Sequence, residues 1–126
     1  QKIPYENPKI SIDNLKEDYF GKIFGTRSGD KGGCANLGVW AKSQEAYSFL
    51  FDFLTVKKLK ELLPDLEKFE IDRFELPNIY SLNFYVHDIL QDGVSSSTRM
   101  DGQAKSLGEY LRAKKINFPE QLLKQI

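Results

Sequence analysis

Between two stretches rich in aromatic and β-branched residues runs Arg27-Ser28-Gly29-Asp30-Lys31-Gly32-Gly33-Cys34-Ala35-Asn36, with three glycines inside five residues. Tyr19–Arg27 before it alternates partially, as a strand does, and Ala35–Ala41 after it reads as a second strand. Glycine adopts the positive φ that side chains resist. Such a run therefore either turns the chain back tightly or folds into a nest whose backbone N–H groups converge on an anion, with Lys31 adding a charge. The Gly-x-x-x-x-Gly-Lys-Ser/Thr spacing of a P-loop is absent, and no helix follows directly as a dinucleotide fingerprint requires. On the residues alone both readings, tight connection and anion nest, stay open.

The rest of the chain supplies the partners for these strands. Ser43 caps a helix from Gln44 to Phe53, and Thr55 caps a second, with Val56, Leu59, Leu62 and Leu63 at helical spacing until Pro64 stops it. Phe69 to Leu76 alternates apolar and charged residues, the mark of a strand with one wet face. Pro77-Asn78 turns the chain into a strand over Ile79–His87, with Tyr80, Leu82, Phe84 and Val86 on one face and Ser81, Asn83, Tyr85 and His87 on the other. Val94 to Met100 has no clear period. Asp101 is placed to cap a helix from Gly102 to Lys114, and a short helix is expected after Pro119. The order strand, strand, helix, strand, strand, helix predicts an α+β, ferredoxin-like sandwich with a largely antiparallel sheet and helices on one face. Residues 1–17, polar and carrying Pro4 and Pro8, read as an arm or linker, and residues 18–126 as one domain of a size that buries a single core.

Charge and composition narrow the function classes. Lys plus Arg equals Asp plus Glu at 18 each, so no field of one sign draws the chain toward nucleic acid or an anionic bilayer. One cysteine, Cys34, rules out an internal disulfide and fits a reducing compartment, so a cytoplasmic location is expected; no apolar stretch approaches the roughly 20 residues that span a membrane. With a single histidine and a single cysteine the usual zinc patterns fail, and neither a metal nor another cofactor is expected. His87 and Asp30 are the candidate general bases, each with a plainer alternative as a hydrogen-bonded strand end and a turn cap. Lys31, Asn36, Asn83, Arg99 and Lys105 offer far more donors than acceptors, as an anionic ligand needs if the fold gathers them.

Taken in order, Arg27 to Val39, Leu54-Thr55, Glu75-Leu76-Pro77-Asn78, Leu82-Asn83-Phe84 and Asp101-Gly102-Gln103-Ala104-Lys105 resemble the small C-terminal domain of acyclic terpene utilisation (AtuA-like) proteins, which also occurs as a stand-alone chain. The likeness runs from about Tyr19 to Leu111. It implies a ferredoxin-like fold, a link to catabolism of acyclic terpenes and branched acyl-CoA compounds, and a larger AtuA-type N-terminal domain or protein as partner. Two departures stand out: Cys34, where relatives often carry Asn, Asp or Ser, and Gln91-Asp92 where they carry Gly-Gly. Cys34 is thus not expected to be a required nucleophile. The expected ligand-binding residues are Ser28, Gly29, Asp30, Lys31, Gly32, Asn36, Asn83, Arg99, Asp101 and Lys105, around a small anionic ligand such as an acyl-CoA, a phosphate or a carboxylate. An assembly module with a purely structural loop and a small enzyme acting on acyl chains are the alternatives. A homo-oligomer is expected, because small sheets of this kind leave a face or an edge uncovered.

Overall fold

The computed structural model describes residues 14–31, 34–87 and 106–124, with the backbone alone for Asp30 and Lys31. The strands are β1 (Leu15–Tyr19), β2 (Gly25–Lys31), β3 (Cys34–Trp40), β4 (Ile71–Leu76), β5 (Ser81–Val86) and β6 (Lys115–Pro119). The helices are α1 (Gln44–Phe53), α2 (Val56–Leu62), α3 (described over 106–112) and α4 (Glu120–Leu123). β2, β3, β5 and β4 lie in that order in an antiparallel sheet, and β1 pairs with β6 in a separate ribbon. β3 and β4 both run against β5, which lies between them, and α1 and α2 carry the chain from one to the other. This is the split β-α-β arrangement of ferredoxin-like folds.

Period-two patterning explains the layering. Ala35, Leu37 and Val39 of β3 and Leu82, Phe84 and Val86 of β5 are all fully buried and share one core with Tyr47, Leu50, Leu59, Leu107 and Leu111 of the helices. Two of the three predicted caps form, the Ser43 hydroxyl accepting from Ala46 N at 3.1 Å and the Thr55 hydroxyl from Lys58 N at 3.1 Å, while the third, Asp101, lies outside the described residues. The ribbon adds Phe118, whose ring lies 5.9 Å from both Phe24 and Phe49. No helix among the described residues is long and apolar enough to cross a membrane.

Several boundaries differ from the sequence expectations. A single strand over Tyr19–Arg27 is replaced by β1, a 3-10 turn at Phe20–Lys22, and β2. The reason is the pair Phe20 and Phe24, whose rings sit 4.9 Å apart in the core, whereas four residues along a strand would separate them by about 13 Å. Leu15, Lys16 and Glu17, assigned to the arm by composition, pair with Pro119, Phe118 and Asn117. The predicted tail helix follows Pro119, but it is preceded by a strand, β6, that the sequence did not reveal. Ile79 and Tyr80 fall outside β5: Pro77–Ile79 is a 3-10 turn and Tyr80 is left-handed at φ 53°, with its ring against Tyr47.

The alternation expected over Phe69–Leu76 breaks at Asp72-Arg73. Phe69 and Ile71 enter the core, but Phe74 and Leu76 are one position out of phase and emerge on the opposite face. Arg73 takes the core-side position instead. Its guanidinium donates to Leu54 O at 2.9 Å, at the C-cap of α1, and lies 4.7 Å over the Phe51 ring. Burial lowers its pKa, against the pull of Glu75, Tyr47 and Asp52 toward the charged form.

Candidate functional site

Because the helices cover one face of the four-stranded sheet, alternate residues of every strand come out on the other. The cross-strand register sets them in rows: Gly25, Trp40, Ser81 and Leu76; then Arg27, Gly38, Asn83 and Phe74; then Gly29, Asn36, Tyr85 and Asp72. Two properties follow from these residue types.

First, the middle of the face is bare backbone. Among the described residues, a side chain at Gly38 would meet only the Arg27 carbonyl, at 3.8 Å, and one at Gly29 would meet nothing within 4 Å. Gly25 is the opposite case: a Cβ there would fall 2.2 Å from the Trp40 indole, so the ring crosses directly over this glycine. Second, the notch at Gly38 is ringed by four side chains: Trp40 and Asn36 two positions along β3, Arg27 and Asn83 across it. The Asn36 and Asn83 amides make no side-chain hydrogen bond, and Arg27, exposed, makes no ion pair, among the described residues. Donors without partners next to open backbone are what an anionic or polar ligand requires.

One end of the face is apolar, with Phe74, Leu76 and, just beyond, Ile79 exposed. The other end is polar. His87 N donates to Glu70 O at 2.9 Å, extending the ladder by one pair, and its Nε2 lies 2.7 Å from Asp72 Oδ2. The Tyr85 ring meets the imidazole edge-on at 5.1 Å. A hydrogen bond with Cys34, the charge that thiol would carry, and partial burial raise the Tyr85 pKa above its ordinary 10.0. A carboxylate on His87 fixes the orientation of the imidazole, as a general base needs. Ligand atoms of Glu70, Asp72 and His87 lie within 4.8 Å of one another, so these three are the described residues able to hold a divalent ion.

Among the residues expected to bind ligand, Gly29, Asn36 and Asn83 are brought together on this open face, and Lys31, opposite Cys34, occupies a register position of the same face. Ser28 is not with them. It faces the helices, where its hydroxyl accepts from Gly108 N at 3.1 Å. Asp30 pairs with Ala35, a register position of the helix-covered face, and so does not share a face with His87. Gly32, Arg99, Asp101 and Lys105 lie outside the described residues. The ladder continues to Lys31 and Cys34, which leaves two residues, Gly32 and Gly33, to connect β2 with β3. Strand pairing of residues 25–31 places Ser28 and Gly29 in a ladder rather than in a loop.

Arg27, Trp40, Asp72 and Phe74 were not among the expected site residues. The signal for Phe74 was present in the broken alternation at Asp72-Arg73, and the signal for Trp40 was its even spacing from Asn36 and Gly38. Away from the open face, a largely apolar cavity of about 350 Å³ lies between the end of α2 and α3, lined by Leu63, Leu66, Leu107 and Tyr110 with Lys114 and Asp65. None of the expected site residues that are described borders it.

No curated protein and no solved structure matches the chain. A family model described as the AtuA ferredoxin-like domain matches residues 20–117, a span that runs from the first core phenylalanine into β6 and includes every strand of the main sheet. On that match the chain belongs to the AtuA ferredoxin-like domain family.

Proposed function

We propose that this is an accessory, ligand-binding domain that holds an anionic ligand, an acyl-CoA, phosphate or carboxylate, on the open face of its sheet, beside a larger AtuA-type catalytic domain or protein. The observation that carries the reading is the ring of Arg27, Asn36 and Asn83 around Gly38, whose polar groups have no partners of their own among the described residues. The link to acyclic terpene or branched acyl-CoA catabolism rests on the family and fits a face with a polar and an apolar end.

A thermal-shift screen of acyl-CoA esters, free CoA, phosphate and simple carboxylates tests it. A ligand that binds only the folded state adds about 2.7 kcal/mol at 100 times its Kd. The expected result is a shift with at least one anion that Arg27→Gln and Asn83→Ala each reduce, with at least a tenfold loss of affinity. A shift that survives both substitutions would move the site elsewhere. The exposed Phe74, Leu76 and Ile79 favour a second reading, assembly through the same face. Light scattering on the same samples separates the two. A stable dimer that Phe74→Arg dissociates, together with no shift from any anion, would assign the face to assembly.

A further inference from the structure

The open face carries features that narrow the chemistry of its ligand. Trp40 remains 37% exposed although its indole is laid across Gly25, so the ring is held by the backbone beneath it and presents its outer surface to solvent. Beside it, Gly38 offers a strip of backbone that a flat ring can approach closely, since no side chain rises from it. Two further rings emerge on the same face, Tyr85 in β5, the strand next to β3, and Phe74, at 51% exposure, in β4 beyond it. The residues walling the strip are two amides and one guanidinium. Each Asn amide carries both a donor and an acceptor, the combination that pairs with the edge of a purine, and Asn binds adenine through two such bonds. A planar base stacks on aromatic side chains of a sheet face irrespective of its substituents. Arg27, across the strip from Asn83, has a charge with no counter-ion among the described residues and matches a phosphate.

We propose that the face binds the adenine nucleotide portion of its ligand, the base lying over Gly38 against Trp40, its edge on Asn36 and Asn83, and its phosphate on Arg27. The inference rests on the open-face reading above and names the ligand class. The same chemistry occurs in a free nucleotide, in the nucleotide end of coenzyme A and in single-stranded RNA. The balanced charge of the chain, 18 of each sign, argues for a small nucleotide, because a polynucleotide track needs a basic groove.

Trp40 is the only tryptophan, so its emission reports on this spot alone. Excitation beyond the adenine absorption band, with ADP, CoA, adenosine, inorganic pyrophosphate and an oligoadenylate titrated in turn, is the experiment. Saturable quenching by ADP or CoA is expected, with adenosine binding at least tenfold more weakly for want of the phosphate, and pyrophosphate giving no quenching. Asn83→Ala should weaken ADP binding at least tenfold with the far-ultraviolet circular dichroism unchanged, and Arg27→Gln should bring ADP to the level of adenosine. Thermal stabilisation by carboxylates or phosphate without quenching by any adenine compound would overturn the nucleotide and leave the ligand-binding face standing. Binding of nothing, by either readout, would overturn both. An oligoadenylate bound far more tightly than ADP, with affinity falling steeply as salt rises, would transfer the face to RNA and overturn the small-nucleotide proposal.

Discussion

At Tyr85 the phenol on the open face interacts with the Cys34 thiol, and that hydrogen-bonding interaction pushes its pKa up. The hydrogen bond is the largest cause of its raised pKa, followed by the charge that Cys34 would carry. The sign for stability follows. A group whose folded pKa exceeds its unfolded value contributes below the unfolded pKa and loses that contribution as pH rises through the folded one, here above 10.0. A difference titration of tyrosinate absorbance, the chain against Tyr85→Phe, should place this phenol above 10.0. In a Cys34→Ala background the midpoint should fall back toward the ordinary value. An unchanged midpoint would contradict the Cys34 contact.

Between β2 and α3 the limiting contact is at Gly108. The Thr26 hydroxyl donates to its carbonyl at 3.0 Å, and the Ser28 hydroxyl accepts from its N–H at 3.1 Å, so strand and helix meet backbone to side chain. A Cβ on Gly108 would fall 2.9 Å from Thr26 Oγ1. Helix propensity alone favours Gly108→Ala by about 1 kcal/mol. Overpacking costs about 1–3 kcal/mol and here acts against both hydrogen bonds. The account therefore predicts a net loss of stability in urea denaturation, and a variant as stable as the parent would contradict it. At this scale much was legible in advance. Ser43 and Thr55 announce α1 and α2 because a cap is a local device, and Leu82, Phe84 and Val86 announce β5 because alternation is local too. β1 and β6 were not legible, since Lys16 pairs with Phe118 and nothing near either residue in sequence signals the other. Ser28 was misplaced for a similar reason: read as part of a loop it points at a ligand, whereas strand phase turns it to Gly108.

Across the described residues, one covered face and one open face of the main sheet divide the side chains into two sets. The covered set is a core of ordinary composition. The open set combines a glycine floor, a backed tryptophan and polar groups without partners among the described residues. The sequence singles out Asn36 and Asn83 because their residue type suits an anion, and the register sets both on the open face. The sequence does not single out Arg27, because the register that sets Arg27 opposite Gly38 exists only once β2 and β3 have paired. Nor does it give weight to Gly38, whose value lies in what is missing above it. The central claim is that ligand sits on this face and not in the cavity between α2 and α3, and amide chemical-shift mapping by NMR tests it most directly. Titration with the tightest-binding anion is predicted to move the amides of Arg27, Asn36, Gly38, Trp40 and Asn83 and to leave Leu63, Leu66 and Leu107 in place. Shifts gathered on Leu63, Leu66 and Leu107 with the sheet face silent would contradict it.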